Sequence, residues 1–190
     1  MNIDQRNHQT AVTWIEGEIA NMIRDLGKPN ASSAATSAIT LAFLLRKEIE
    51  GRACGAYLAA QLIGAVLGVW VAHAMFAEPL LQVSTKLRDG PSQTLSEFVA
   101  TFGLIGTIFA TQRSRPDFTP VAVGLYITSA YWFTASTSFA NPAVTAARSL
   151  SDTFAGIAPS SAPLFIAAQL CGALAALGVF SWLFRKDCAQ

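Results

Sequence analysis

The residues best placed to do chemistry stand in the run Ser138-Phe139-Ala140-Asn141-Pro142-Ala143-Val144-Thr145. Asn141 is a good N-cap, because its side-chain oxygen can accept from a free backbone N–H. Pro142 suits the first helical position, where its missing N–H would have had no partner. A helix that opens this way presents free N–H groups and the positive end of its dipole, and the Asn amide adds a donor. On a surface this is a helix start and nothing more. At the buried end of a helix too short to cross a membrane, it becomes a site that donates hydrogen bonds to a passing oxygen and repels cations. The chemistry is recognition of a neutral solute, not bond breaking. The sequence holds no nucleophile–base pair, no His-rich metal spacing and no glycine-rich phosphate loop in a plausible context, so no catalytic residue, metal or cofactor is expected.

The elements that must carry such a site are apolar. Of the 190 residues, 52% are hydrophobic and 13% charged, and the mean hydropathy is +0.40. That composition points to an all-α protein of the lipid bilayer. A net charge of +1 without a basic stripe excludes nucleic acid as a partner. Three cysteines give no disulfide framework; Cys54 and Cys171 fall within predicted spans. Four segments are read as transmembrane helices, near Ala53 to Phe76, Leu95 to Thr111, Phe118 to Ala135 and Pro163 to Phe184. A hydrocarbon core of roughly 30 Å takes about 20 helical residues. The middle two are short and polar enough, with Glu97, Thr101 and Thr128, to need protein neighbours. Gly64 and Gly68 offer a face for close helix packing.

The chain is internally repeated. Ala59-Ala60-Gln61-Leu62-Ile63-Gly64-Ala65 returns as Ala167-Ala168-Gln169-Leu170-Cys171-Gly172-Ala173, and Ala38-Ile39-Thr40 answers to Ala143-Val144-Thr145. Ahead of each repeated span lies a shorter apolar piece, about Thr36 to Leu45 and Asn141 to Leu150. These read as re-entrant half-helices, which require a protein-lined or water-filled surrounding; two interfacial surface helices would leave the same pattern. Passing from one copy to the other takes three crossings, so the second copy is inverted and the half-helix N-termini meet near the midplane. Arg46, Lys47, Arg52, Arg113, Arg115, Arg185 and Lys186 fall on one side, which should be cytoplasmic, against Lys86, Arg88 and Arg148 opposite. A multi-pass protein of the plasma or inner membrane with both termini in the cytoplasm is expected.

A complete inverted repeat would need two spans before Thr36, and the 35 preceding residues are largely polar. Within them Val12, Ile15, Ile19, Met22, Ile23 and Leu26 mark one helical face. Thr13 and Glu16 form a capping box, and Gly27 and Pro29 a stop. The expected organisation is a polar segment over 1–35 with an amphipathic helix, a membrane domain over 36–184 and a tail over 185–190.

Polar residues inside apolar spans must face the protein interior. Glu97 is expected to accept hydrogen bonds from re-entrant backbone, and Gln61 and Gln169 to bridge span to half-helix. His73 reads as a packed histidine without a second metal ligand nearby. Tyr131 and Trp132 read as membrane-interface anchors.

From Thr36 to Phe184 the chain resembles the aquaporin and aquaglyceroporin (major intrinsic protein) family. The likeness is most specific from Tyr131 to Ala173, where the Asn-Pro-Ala-Val-Thr turn and the Ala-Ala-Gln-Leu-x-Gly-Ala span fall at family spacing. The resemblance implies a six-helix inverted repeat whose two Asn-Pro-Ala turns meet at the centre, and a homotetramer. The first turn departs from the pattern: Thr36, Ser37 and Ala38 stand where the family has Asn, Pro and Ala. By the same resemblance the filter falls on Val144, usually Arg in the family, with Ser138 and Ser129. Small neutral groups there imply a wider opening, as in the metalloid-permeable bacterial branch. Arg148, one turn beyond Val144, is not the filter Arg and should pack or face headgroups. The expectation is an incomplete aquaporin-like channel, with about four transmembrane helices and two half-helices, for water, glycerol and arsenite-like metalloid hydroxides. The alternative is a non-conducting relative or a subunit that needs a complete partner.

Overall fold

A computed structural model describes residues 37–45 and 49–185. The amphipathic helix expected around Val12 to Leu26, the turn residue Thr36 and the tail after Arg185 lie outside the described residues. Among the described residues six α-helices follow in order: α1 (Ser37–Leu45), α2 (Gly51–Met75), α3 (Pro91–Ser114), α4 (Thr119–Phe133), α5 (Pro142–Arg148) and α6 (Ala162–Arg185). The described residues contain no strand.

Among the described residues three helices, where four were expected, are long and apolar enough to cross a membrane: α2, α3 and α6. The second expected span gains a turn at its start, because Pro91 occupies the first turn and Gly90 caps it in extended conformation. The third falls short. A 3₁₀ turn at Pro116–Phe118 delays α4, and extended Thr134 ends it after 15 residues. At 1.5 Å per residue that is about 22 Å, against a core of roughly 30 Å.

The long helix α3 is the centre of the bundle. Its buried residues Glu97, Ala100, Thr101, Leu104, Ile105, Ile108 and Phe109 recur at spacings of three and four, a single stripe down one face. That stripe packs with Ala173 and Ala176 of α6 and, from the half-helix ends, with Ala38 and Ala140. Close approach explains two glycines. A Cβ on Gly172 would strike the Phe98 carbonyl oxygen, and one on Gly106 would strike the Phe180 ring. Gly172 thus carries one half of the repeated motif into direct backbone contact with α3.

The helix α2 packs through Ala65, Val69 and Ala72 against Ala147 of α5. It ends at a left-handed residue, Ala77, with φ of 55°, and the Glu78 N–H reaches back to the His73 carbonyl at 2.9 Å. This is a Schellman stop, normally occupied by glycine. Of the cysteines, Cys54 is buried and Cys171 is exposed on the outer face of α6.

Candidate functional site

The short helices α1 and α5 meet at their first residues. Asn141, in extended conformation, caps α5: its Oδ1 accepts from Ala143 N at 3.1 Å. The same oxygen accepts from Ser37 N at 3.2 Å, so one side chain caps both half-helices. With Oδ1 so engaged, the amide Nδ2 is the end left to donate. Ala38 is fully buried in the cluster that holds Ala100 and Leu104, near the middle of α3. The tips therefore lie against the centre of a membrane-length helix, not at its ends.

Each half-helix is held by a glutamine from a repeated span. Gln61 Nε2 donates to Thr40 Oγ1 at 3.0 Å and Gln61 Oε1 accepts from Ser37 Oγ at 2.8 Å. In the second copy Gln169 Nε2 donates to Thr145 Oγ1 at 2.9 Å. The repeat is thus a repeat of contacts: Gln61 with Thr40, Gln169 with Thr145. Glu97, fully buried, accepts from Phe139 N at 2.8 Å, Ala140 N at 2.9 Å and Gln169 Nε2 at 2.6 Å. A carboxylate supplies enough acceptor sites for all three, and burying it without donors would be costly. It holds the segment entering Asn141 in an unusual shape, with Thr137, Ser138 and Ala140 at φ of 65°, 46° and 48°. Left-handed backbone at three non-glycine positions persists only where its surroundings enforce it.

Ser129 lies on α4, Ser138 in the segment that enters Asn141, and Val144 in the first turn of α5. Val144 is half-buried against Phe139, Ile157, Ala162 and Phe165. Ser138 is buried, and its hydroxyl is enclosed with no partner among the described residues. Ser129 is exposed on α4 and bonds its own helix, donating to Leu125 O at 2.8 Å. Pro142 sits in the first turn of α5, half-buried, and Ala143 is buried.

The structure supplies the partners of three polar residues that the sequence could not name. Arg148 is buried: its Nη2 donates to the Tyr131 hydroxyl at 2.8 Å and its guanidinium lies 4.4 Å from the Phe139 ring centroid. It faces protein, not headgroups, and Tyr131 serves it rather than anchoring an interface; Trp132 is the exposed ring. Arg88, counted in the sequence only as a charge on the non-cytoplasmic side, is buried too. It donates to the carbonyls of Gly156 at 2.8 Å, Ser136 at 3.0 Å and Phe154 at 2.9 Å, and lies 5.2 Å from the same Phe139 ring. Burial, with the Arg148 charge beside it, pushes Arg88 down to about 10, which leaves it charged at neutral pH. His73 is fully buried between Ser151 Oγ at 2.9 Å and the Leu80 carbonyl at 3.3 Å. No group of three metal-ligating side chains occurs among the described residues.

The segments 76–90 and 149–161 cover this end of the bundle. Ser84 N meets Ser149 O at 2.8 Å and Ala158 N meets Lys86 O at 2.7 Å. Asp152 Oδ1 accepts from Thr85 N at 2.8 Å and from its hydroxyl at 3.0 Å, and these donors hold the carboxyl below the usual range. Burial, and then Arg88, lower Lys86.

Membrane-length helices around two capped half-helices that meet tip to tip define a channel for small solutes, not an enzyme. The chain belongs to the major intrinsic protein family, whose sequence model matches residues 35–138. It is similar to the Aquaglyceroporin AqpS of Rhizobium meliloti (strain 1021), with 47% identity over 175 residues, which covers 92% of this chain and 75% of that relative. It is accordingly a multi-pass membrane protein with an aquaporin-like fold, α-helical throughout its described residues.

Proposed function

We propose that this channel passes water, glycerol and arsenite-like metalloid hydroxides along the line where α1 and α5 meet. Asn141 Nδ2 and the free N–H groups of the half-helix tips donate to solute oxygens, and Pro142, Ala143, Ser37 and Ala38 shape the turn around them. Val144, Ser129 and Ser138 bound the constriction. Glu97, Gln61 and Gln169 support the loops. The observation that carries this reading is the 3.2 Å bond from Ser37 N to Asn141 Oδ1, which turns both helix starts toward one point. The aquaglyceroporin named above supports glycerol as a solute. Organisation as a membrane domain over 36–184 between a polar segment over 1–35 and a tail over 185–190, a homotetramer, a plasma or inner membrane location and cytoplasmic termini complete the proposal.

Stopped-flow light scattering of proteoliposomes in a glycerol gradient tests it. Faster volume change than in empty liposomes supports it. Rates equal to empty liposomes favour the alternative, a non-conducting relative or a subunit; co-purification with a full-length relative would single out the subunit.

A further inference from the structure

The helix α4 carries Ser129 and also Tyr131, whose hydroxyl meets Arg148 of α5 at 2.8 Å. Yet α4 has 15 residues, and of these Thr119 and Ala130 are buried. It lies on the core through the half-buried Val123, Tyr126 and Ile127, which with Ala130 form one helical stripe. Apolar contacts between helices in lipid have no hydrophobic force behind them, so close packing and hydrogen bonds must fix the helix in place. Tyr126 supplies such a bond: its hydroxyl donates to the Ala100 carbonyl, near the middle of α3, at 3.0 Å. The hydroxyl fills the space over Gly103, where a Cβ would strike the Tyr126 oxygen. Phe133, two turns further along α4, packs edge-on against the Tyr126 ring with 6.0 Å between centroids. On the same turn of α3, Ser96 Oγ accepts from Ala135 N at 3.2 Å, just past the end of α4, and Glu97 holds Phe139 N and Ala140 N. Residues 96, 97 and 100 thus tie both α4 and the backbone entering Asn141 to one turn of α3.

We propose that Tyr126 is a positioning residue of the passage: its hydroxyl, seated over Gly103 and bonded to the Ala100 carbonyl, sets the distance of α4 from α3 and so how far Ser129 stands from the Asn141 tip. Tyr126 acts through Ser129, one turn on, and not on the solute itself. The Ala100 carbonyl lies inside the continuous helix α3, so removing the hydroxyl leaves it in its helical bond. Loss of the hydroxyl therefore frees α4 without orphaning a buried acceptor. The proposal rests on the channel reading above and adds to it the device that fixes the width of the constriction.

The test uses the full chain in liposomes, with glycerol and the bulkier five-carbon polyol xylitol measured on the same preparation, so that the ratio of the two permeabilities is independent of how much protein is inserted. In Tyr126→Phe the xylitol-to-glycerol ratio should rise at least about threefold, because the bond that holds α4 is gone. Gly103→Ala, which evicts the hydroxyl while keeping the tyrosine, should raise it in the same direction, and it decides the matter if Tyr126→Phe fails to insert. Gly124→Ala, on α4 with open space around it, should leave the ratio at the wild-type value. An unchanged ratio in Tyr126→Phe overturns the proposal; joined to a lowered unfolding midpoint, it marks a purely structural tyrosine. A rise in Gly124→Ala equal to that in Tyr126→Phe overturns it as well. Absence of glycerol flux in the wild type brings down the channel reading and this proposal with it, whereas flux with an unchanged ratio brings down this proposal alone.

Discussion

Asn141 Oδ1 accepts the Ser37 backbone N–H at 3.2 Å, joining the first residues of two half-helices that lie 104 positions apart in the chain. The acceptor end of the amide is thereby fixed, and its donor end is oriented by the same bond. Asn141→Asp keeps the acceptor and replaces the donor with a second, negatively charged oxygen. We expect glycerol flux in proteoliposomes to fall at least about tenfold and a cation leak to appear, since a charge of reversed sign then faces the solute.

Glu97 holds two consecutive backbone N–H groups and the Gln169 amide. Glu97→Gln presents an NH2 group to donors and leaves at least one of them without an acceptor. The loss should be about 2–4 kcal/mol, read as a lower unfolding midpoint in detergent titration. An unchanged midpoint would show that the left-handed segment at 137–140 does not depend on the carboxylate.

Gly172 lets α6 touch the Phe98 backbone. Gly172→Ala forces the two helices apart at their main contact, a cost of about 1–3 kcal/mol that thermal unfolding of the purified protein would report. Gly178, with open space around it, is the control: its alanine variant should be neutral or slightly more stable.

Ala77 adopts a φ of 55° at the end of α2. Ala77→Gly removes the steric penalty of that conformation and should raise stability by about 1 kcal/mol. The same unfolding assay decides it, and a destabilised variant would contradict the Schellman assignment.

Asp152 titrates below its ordinary value because Thr85 donates to it twice. A depressed folded-state value means the carboxylate form favours the closed segment pair. That contribution is complete above the ordinary carboxylate value of 3.8 and is lost as pH falls through the lower folded value. Amide exchange at Thr85, corrected for its intrinsic pH dependence, should lose protection over that window in the wild type and show no such step in Asp152→Asn.

Much of the fold was legible because membrane burial makes polarity informative. A carboxylate at 97 and glutamines at 61 and 169 inside apolar helices have to find partners, and their positions in the repeat say which elements they lie near. The repeated Ala-Ala-Gln-Leu-x-Gly-Ala run carried more than similarity: its Gln makes the bond to the half-helix and its second-copy Gly makes the backbone contact. The length of α4 was not legible, since the apolar run beyond Pro116 does not reveal that its first turn is 3₁₀ and its last residue extended. The partners of the arginines were hidden for a related reason. Loop membership gives Arg88 a side of the membrane and nothing more; the carbonyls of Gly156, Ser136 and Phe154 come from segments 48 to 68 residues away, and no local pattern reports them. Tyr131 as the partner of Arg148 was hidden in the same way.

The central claim is that Asn141 lies deep in the membrane beside a hydrated passage. It is tested most directly by a spin label at Asn141→Cys, with Cys54, Cys171 and Cys188 replaced, in proteoliposomes. The account predicts a depth near the bilayer centre together with collisions with a water-soluble relaxation agent. A label at headgroup depth, or one at the centre that meets oxygen but no water-soluble agent, would contradict it.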